Sequence, residues 1–226
     1  MKKKNYTFEE DYFEEYYVKE ITDFTPGGFK RMYNWFKGIF NALNKYVDIN
    51  DGKGKKAIEF GSAIGAASKL LSDLGYDVLA TDVSSYSVKR ARKLASQVKF
   101  AVHDIHKPFI TRNKFDLVCA FDVIEHLGKP KAAIKNMFSI IKDKGVVICS
   151  TPNDYGYARK VPSHINVKKP EQWERIFRDA GFKNVTVKQF SFLPFFYRLH
   201  WRLNFALPFG INFESIPSPV FIIARK

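Results

Sequence analysis

Three carboxylates and two glycines stand where apolar runs end, and they define the first chemical question. Glu59-Phe60-Gly61-Ser62-Ala63-Ile64-Gly65 follows an apolar stretch and opens a helical one. Glycine lets a backbone turn sharply and approach a ligand closely, where a Cβ would clash. The helix start beyond it offers unpaired N–H groups and a partial positive charge. A dinucleotide site spaces its glycines GxGxxG, whereas here position 63 is Ala, a glycine falls at 65, and Glu59 precedes the loop. A carboxylate at 59 would repel a pyrophosphate but accept hydrogen bonds from an ammonium group. That favours a nucleotide bearing an amino acid over a nicotinamide dinucleotide. Asp82, 21 residues after Gly61, ends the next apolar run, where a carboxylate can accept from ribose hydroxyls. Asp104, in Val102-His103-Asp104-Ile105, ends the third and is placed for an adenine amino group. A lone Asp at such a position is as readily a cap or turn former, and Ser84-Ser85 could do the capping after Asp82. Three acids in series along the ligand-binding edge of a doubly wound sheet point to a bound nucleotide.

Those residues need a scaffold that brings strand ends to one edge. Strands are read near 56–60 (KAIEF), 77–82 (DVLATD), 98–103 (VKFAVH), 115–121 (FDLVCAF) and 145–151 (GVVICST). Helices are expected near 63–74, 85–95 and 130–142, the last opening at Pro130 and closing at Gly145. Before them, Met32, Phe36, Ile39, Phe40, Leu43 and Val47 recur at helical spacing over 30–47, and a turn at 50–54 follows. A further helix runs from Pro170 to Gly181, then strands at 184–190 and 219–225. Strands alternating with helices predict an α/β fold, a Rossmann-like doubly wound sheet of about seven strands with helices on both faces. The last strands have no crossover helix between them, so an antiparallel pairing around residues 191–218 is expected.

EFGSAIG (59–65), the acid in ATDVS (80–84), HDI (103–105), FDLVCAFDVIEHL (115–127) and STPN (150–153) together resemble a class I S-adenosylmethionine-dependent methyltransferase. The likeness is to the small-molecule type, similar to the ubiquinone-biosynthesis O-methyltransferases, and covers about 55–190 and 219–225. It implies S-adenosyl-L-methionine as cofactor and a sheet ending in an antiparallel hairpin. It implies cofactor contacts from Glu59, Gly61, Ser62, Ala63, Gly65, Asp82, Val83, Asp104, Ile105, Phe121, Asp122 and Val123. Of these, Glu59, Gly61 and Gly65 would surround the methionine part, Asp82 the ribose and Asp104 the adenine. Ala63 stands where that family usually has a glycine, and alanine is small enough for binding to survive. The whole chain, 1–226, is expected to be one methyltransferase domain. Residues 1–50 would be an N-terminal helical lid, 55–190 and 219–226 the cofactor-binding core, and 191–218 an aromatic, basic insertion. Tyr12, Tyr16 and Tyr17 would belong to the lid, or pack as an aromatic face on the domain.

Methyl transfer from a sulfonium needs proximity, alignment and an acceptor free of its proton. A general base serves a hydroxyl acceptor, and histidine is the usual one near neutral pH. His126, just past the fourth strand, and His164, in Pro162-Ser163-His164-Ile165-Asn166, are the two catalytic candidates. Each has a plainer reading, as a loop-orienting or solvent-facing side chain, and Asn153 reads equally as a turn residue. Asp122, Glu125 and His126 are competent metal ligands, but three such residues in one short loop are insufficient, and no metal is expected. After the fourth strand there is no Pro-Pro-Tyr/Phe, neither cysteine follows a proline, and residues 121–128 hold one Glu. These absences argue against amino-methylating nucleic-acid enzymes, cytosine-C5 enzymes and protein arginine methyltransferases. The expectation is methylation of a small molecule at oxygen. A nicotinamide-dependent oxidoreductase and a non-catalytic S-adenosylmethionine-binding module are the alternatives.

Composition sets the outer limits. The 226 residues hold 37 Lys+Arg against 23 Asp+Glu, a net +14, with 46% apolar residues, enough for a core and against global disorder. Residues 1–23 are net −3, whereas 156–226 are net +8. Such a field favours anionic partners, here read as an anionic or lipid-like acceptor with possible peripheral contact to an anionic membrane surface, nucleic acid ranking third. Aromatics at 190, 192, 195, 196, 197, 201, 205 and 209 mix with Arg198, His200 and Arg202, read as a packed insertion, a substrate lid or a membrane patch. Cys119 and Cys149 sit in apolar runs, and no signal peptide or membrane span is read, so a reducing cytoplasm is expected. The oligomeric state is left open.

Overall fold

The computed structural model describes residues 7–111, 114–154, 156–192, 202, 206–211 and 218–226. Seven strands form one sheet: β1 (Lys56–Phe60), β2 (Asp77–Asp82), β3 (Lys99–Val102), β4 (Phe115–Phe121), β5 (Ile141–Thr151), β6 (Asn184–Gln189) and β7 (Val220–Arg225), in the order β3-β2-β1-β4-β5-β7-β6. The first five carry apolar runs because a parallel sheet is covered on its faces. Of the seven consecutive residues of β4 only Asp116 is not apolar, and Leu117 to Phe121 are all buried. β7 pairs antiparallel with both β5 and β6, from Val146↔Arg225 to Thr151↔Val220 and from Asn184↔Arg225 to Gln189↔Val220. The antiparallel end expected from the sequence is therefore present.

Two compact units make up the described chain. One comprises residues 7–104 together with 202 and 206. It carries β1 to β3, with α1 (Pro26–Leu43), α2 (Ala66–Asp73) and α3 (Ser85–Leu94). α1 begins earlier than its apolar spacing indicates because Thr25 caps it, its hydroxyl accepting from Gly28 N at 3.1 Å, and Pro26 occupies the first turn. Its buried face includes Ile39, Phe40 and Leu43. Ahead of it, Glu10–Tyr12, Phe13–Tyr17 and Val18–Glu20 form successive helical turns, the middle one of π type. Tyr12, Phe13 and Tyr17 make a buried cluster there, with Phe8, Tyr16, Phe24, Ala63 and Tyr86 packed against it.

The other unit comprises 105–192 and the described residues of 207–226. It carries β4 to β7, with α4 (Pro130–Ile140), α5 (Gly156–Lys160) and α6 (Pro170–Asp179). Here the sequence reading needs a correction. α4 ends at Ile140 and β5 starts at Ile141, so Gly145 does not close the helix. Phe115 pairs with Ile141 and Leu117 with Val146, which leaves an irregular stretch between them. Gly145 lies in that stretch. A Cβ there would stand 2.7 Å from Ile141 Cγ1 and 3.0 Å from the Asp116 carbonyl. The glycine answers crowding inside a strand irregularity, not the end of a helix.

Both cysteines are buried and free. Among the described residues no helix is long and apolar enough to cross a membrane. Most of the 191–218 segment, including Leu193–His200 and its aromatics there, lies outside the described residues, so the lid, membrane-patch and packing readings do too.

Candidate active site

The first cluster forms where β1 runs into α2. Gly61 and Gly65 take φ of +70° and +82°, and Ala63 takes +42°. A Cβ at Gly65 would come within 2.7 Å of the Phe100 ring, so this glycine is required twice over. The loop is held by its own backbone. Ser62 N donates to the Thr81 carbonyl at 2.9 Å and Gly65 N to the Ser62 carbonyl at 2.7 Å. Ala63 N donates to Asp82 Oδ2 at 2.8 Å, and Ser84 N to Asp82 Oδ1 at 2.9 Å. Asp82 therefore shapes the loop and the following turn, while Ser84 caps α3 by accepting from Ser87 N at 3.1 Å. Burial lifts the Asp82 carboxyl above its ordinary value, and the two N–H donors hold it down in part.

Glu59 is 2% exposed and accepts from the Ser68 hydroxyl of α2. Burial pushes its carboxyl up to about 8, against the Ser68 hydrogen bond and with help from the nearby Asp82 charge. Ser62 Oγ is buried with no hydrogen-bond partner. A buried hydroxyl left unpaired is costly unless something else meets it. Val83 is 45% exposed, Asp104 is half-buried, and Ile105, in the other unit, is buried.

The acidic N-terminal segment packs onto this same loop. Glu9 carries its carboxylate to the start of α3, accepting from Ser85 N at 3.1 Å, Tyr86 N at 3.3 Å and Ser84 Oγ at 3.1 Å. An anion at a helix N-terminus meets unpaired N–H groups and a favourable dipole. Glu14 accepts from the Tyr86 hydroxyl and pairs with Arg90 at 3.1 Å. Ala63 touches the aromatic cluster of Tyr12, Phe13 and Tyr17. The sequence offered the tyrosines as a lid or a packed aromatic face and missed Glu9 and Ser68, because nothing in their local spacing announces partners so distant in the chain.

The second cluster lies in the other unit. Phe121 is buried at the end of β4, and Asp122 follows in a left-handed conformation, φ +52°. Asp122 Oδ1 accepts from Ser150 Oγ at 2.9 Å, and Val123 is half-buried. The 3-10 turn Ile124–His126 then buries Glu125 completely and leaves His126 partly accessible. His126 Nδ1 lies 3.0 Å from the Ser163 carbonyl, and His164 Nδ1 lies 2.9 Å from the Ala158 carbonyl. Asn166 N donates to the Glu125 carbonyl at 2.8 Å, and Asn166 Nδ2 donates to the Leu127 carbonyl. These bonds fasten loop 163–166 to turn 124–127. The His126 and His164 rings meet edge to face, centroids 4.9 Å apart.

Burial, and then the neighbouring His164, lower the His126 ring to about 3, while the Ser163 carbonyl opposes the shift. Burial lowers His164 as well. Both rings are neutral near pH 7. The two candidate bases read from separate loops thus form one group, with Glu125 as a third member. Asn153 Oδ1 accepts from Asp154 N at 2.9 Å, which is turn geometry.

Residues 33–187 match the family of methyltransferase domains. Phosphoethanolamine N-methyltransferase 1 of Triticum aestivum is 26% identical over 165 residues, which cover 67% of this chain and 33% of that protein. The ubiquinone biosynthesis O-methyltransferase of Coxiella burnetii is 29% identical over 105 residues, 45% of each. The chain thus spans a third to under half of the length of these curated relatives. A solved S-adenosylmethionine-dependent methyltransferase of Archaeoglobus fulgidus superposes with a TM-score of 0.66 at 17% identity, covering 96% of this chain and all of that one.

Proposed function

Because this chain belongs to the methyltransferase-domain family, we propose that it transfers the methyl group of S-adenosylmethionine to a small-molecule acceptor, at oxygen. The observation that carries the proposal is the β1–α2 loop, where Glu59, the unpaired Ser62 hydroxyl and Asp82 surround a left-handed backbone. These residues fit the cofactor. Glu59 has spent one acceptor site on Ser68 and, once ionised, keeps others for an ammonium group. Asp82 accepts one N–H on each oxygen and has a lone pair left on each for ribose hydroxyls. Asp104 serves the adenine amino group and Val83 offers it an apolar edge.

Bound there, S-adenosylmethionine supplies an electrophilic methyl carbon for in-line displacement. The chain's own part is to fix that cofactor and to handle the acceptor, which we assign to His126 and His164. A hydroxyl must lose its proton as the new C–O bond forms. A ring held near 3 is a weak proton acceptor, so we assign orientation to His126 and the base to His164, whose ring burial also lowers. The net +8 of residues 156–226 favours an anionic acceptor. The wheat relative is named for phosphoethanolamine and the Coxiella relative for ubiquinone synthesis, so phosphorylated amines and prenylated phenols are the acceptors to test first. Two buried free cysteines suit a reducing, cytoplasmic setting.

The test is a screen for S-adenosylhomocysteine release across those acceptors, with calorimetric binding of S-adenosylhomocysteine as its control. Binding plus release with one acceptor class is the expected result. Folded protein that binds neither S-adenosylmethionine nor its product would overturn the assignment. Release with an amine alone would move the methylated atom from oxygen to nitrogen.

A further inference from the structure

We propose that Glu125, His126 and His164 form a binding site for a divalent transition-metal ion. The three side chains each offer one ligand atom, and these atoms all lie within 4.8 Å of one another. His126 Nε2 is 3.9 Å from Glu125 Oε1. Two imidazoles and a carboxylate are a donor set for borderline ions such as Zn(II), Co(II) and Fe(II), rather than for Mg(II) or Ca(II). A metal about 2.1 Å from each donor would need the ligands roughly 3 to 3.5 Å apart. The group must therefore contract by about 1 Å to close on an ion.

Three further observations separate this cluster from a chance meeting of polar residues. Glu125 is fully buried, and neither carboxyl oxygen has a hydrogen-bond partner. Thr151 lies beside it, but its hydroxyl too is buried without a partner of hydrogen-bonding geometry. A buried carboxyl so placed is costly unless a cation or donor meets it.

The second observation concerns the rings. A backbone carbonyl only accepts, so Nδ1 of His126 and Nδ1 of His164 carry hydrogen where they face Ser163 and Ala158. In a neutral imidazole the lone pair then resides on Nε2. Carbonyls that fix the tautomer and orientation of a ligating histidine are the usual outer support of a metal site. The third is the Asn166 clamp, which ties the His164 loop to the turn bearing Glu125 and His126.

Three protein ligands leave coordination positions open, the arrangement of a site that acts on something rather than one that only staples a fold. The occupant of those positions is an oxygen of the acceptor, hydroxyl or phosphate. A bound cation would lower the pKa of a coordinated hydroxyl, so that proton removal would no longer fall to His164. This last step rests on the methyl-transfer reading; metal binding itself does not.

Cobalt(II) titration of the untagged full chain, followed by visible absorption and by calorimetry, tests the site without any methyl donor. One cobalt per chain with ligand-field bands of a nitrogen–oxygen site is expected, displaced by zinc. Glu125→Gln and His164→Ala should each weaken binding by at least about tenfold, whereas His106→Ala, elsewhere in the chain, should leave it intact. Circular dichroism and a melting curve confirm that each variant folds. His164→Cys, which restores a soft donor, should recover zinc binding in part and shift the cobalt bands. No saturable binding by folded protein, or binding that Glu125→Gln and His164→Ala both leave unchanged, would overturn the proposal. Cobalt binding without methyl transfer would sink only the acceptor role.

Discussion

A carboxyl buried as deeply as Glu59 spends most of its time protonated at neutral pH, and that has two measurable consequences. Its folded value, about 8, lies above the ordinary 4.5. Between those values the folded chain binds more protons than the unfolded one, so this group makes stability fall as pH rises through the window and level off above it. The slope from one such group is at most about 1.4 kcal/mol per pH unit. Glu59→Gln should flatten it, as read by chemical denaturation of the cofactor-free protein from pH 5 to 8. An ammonium ligand needs the ionised form, so cofactor binding near pH 6.5 should release a proton. Calorimetry in two buffers of different ionisation heat will register that release, and Glu59→Gln should abolish it. Ala63 makes a second prediction at this scale. A left-handed alanine is strained by about 1–2 kcal/mol, so Ala63→Gly should raise stability by up to about 1 kcal/mol after the added chain entropy is deducted. A lower melting temperature would mean that the Cβ packing against the tyrosine cluster outweighs the strain.

Among the elements, α3 has a start that depends on a distant residue. Ser84 caps it locally, and Glu9 adds a carboxylate across the first turn. Glu9→Ala should therefore cost about 0.5–2 kcal/mol and loosen the turns Glu10–Glu20, raising their protease sensitivity ahead of global unfolding. Unchanged cleavage within 7–23 would mean that the aromatic cluster alone holds the segment. Such partnerships mark the boundary of what a sequence reveals. The β1 loop, Asp82 and the sheet's parallel strands were legible because each announces itself within a few residues: an apolar run, then a glycine or an acid. The closing of α4 was misread because Gly145 looks like a helix stop, and only the pairing of Phe115 with Ile141 shows that the strand has already begun. The joining of His126 to His164 was invisible for a different reason. It depends on carbonyls of Ser163 and Ala158 and on the Asn166 clamp, and backbone acceptors leave no trace in residue type.

Over the molecule as a whole, charge and topology act on different aspects of function. In the proposed reading the net +14 does not bear on the cofactor's ammonium or sugar, which would meet carboxylates at Glu59 and Asp82. Its concentration in residues 156–226 is proposed to bias which acceptors approach, an attraction that should weaken with salt. With an anionic acceptor, KM should rise between about 0.05 and 0.5 M salt while kcat holds; a neutral acceptor should show no such trend. Topology brings in time. β7 follows β5 and β6 in the chain, yet it lies inside the sheet, with β5 on one side and β6 on the other, and Val220 to Ala224 are fully buried. Until residues 220–225 leave the ribosome, β5 and β6 each present an unsatisfied edge. The nascent chain therefore passes through a sticky stage before β7 emerges. A chain stopped at residue 219 should accumulate in the insoluble fraction or bound to chaperones, and a soluble, native-like product from that truncation would show that the edges close without β7.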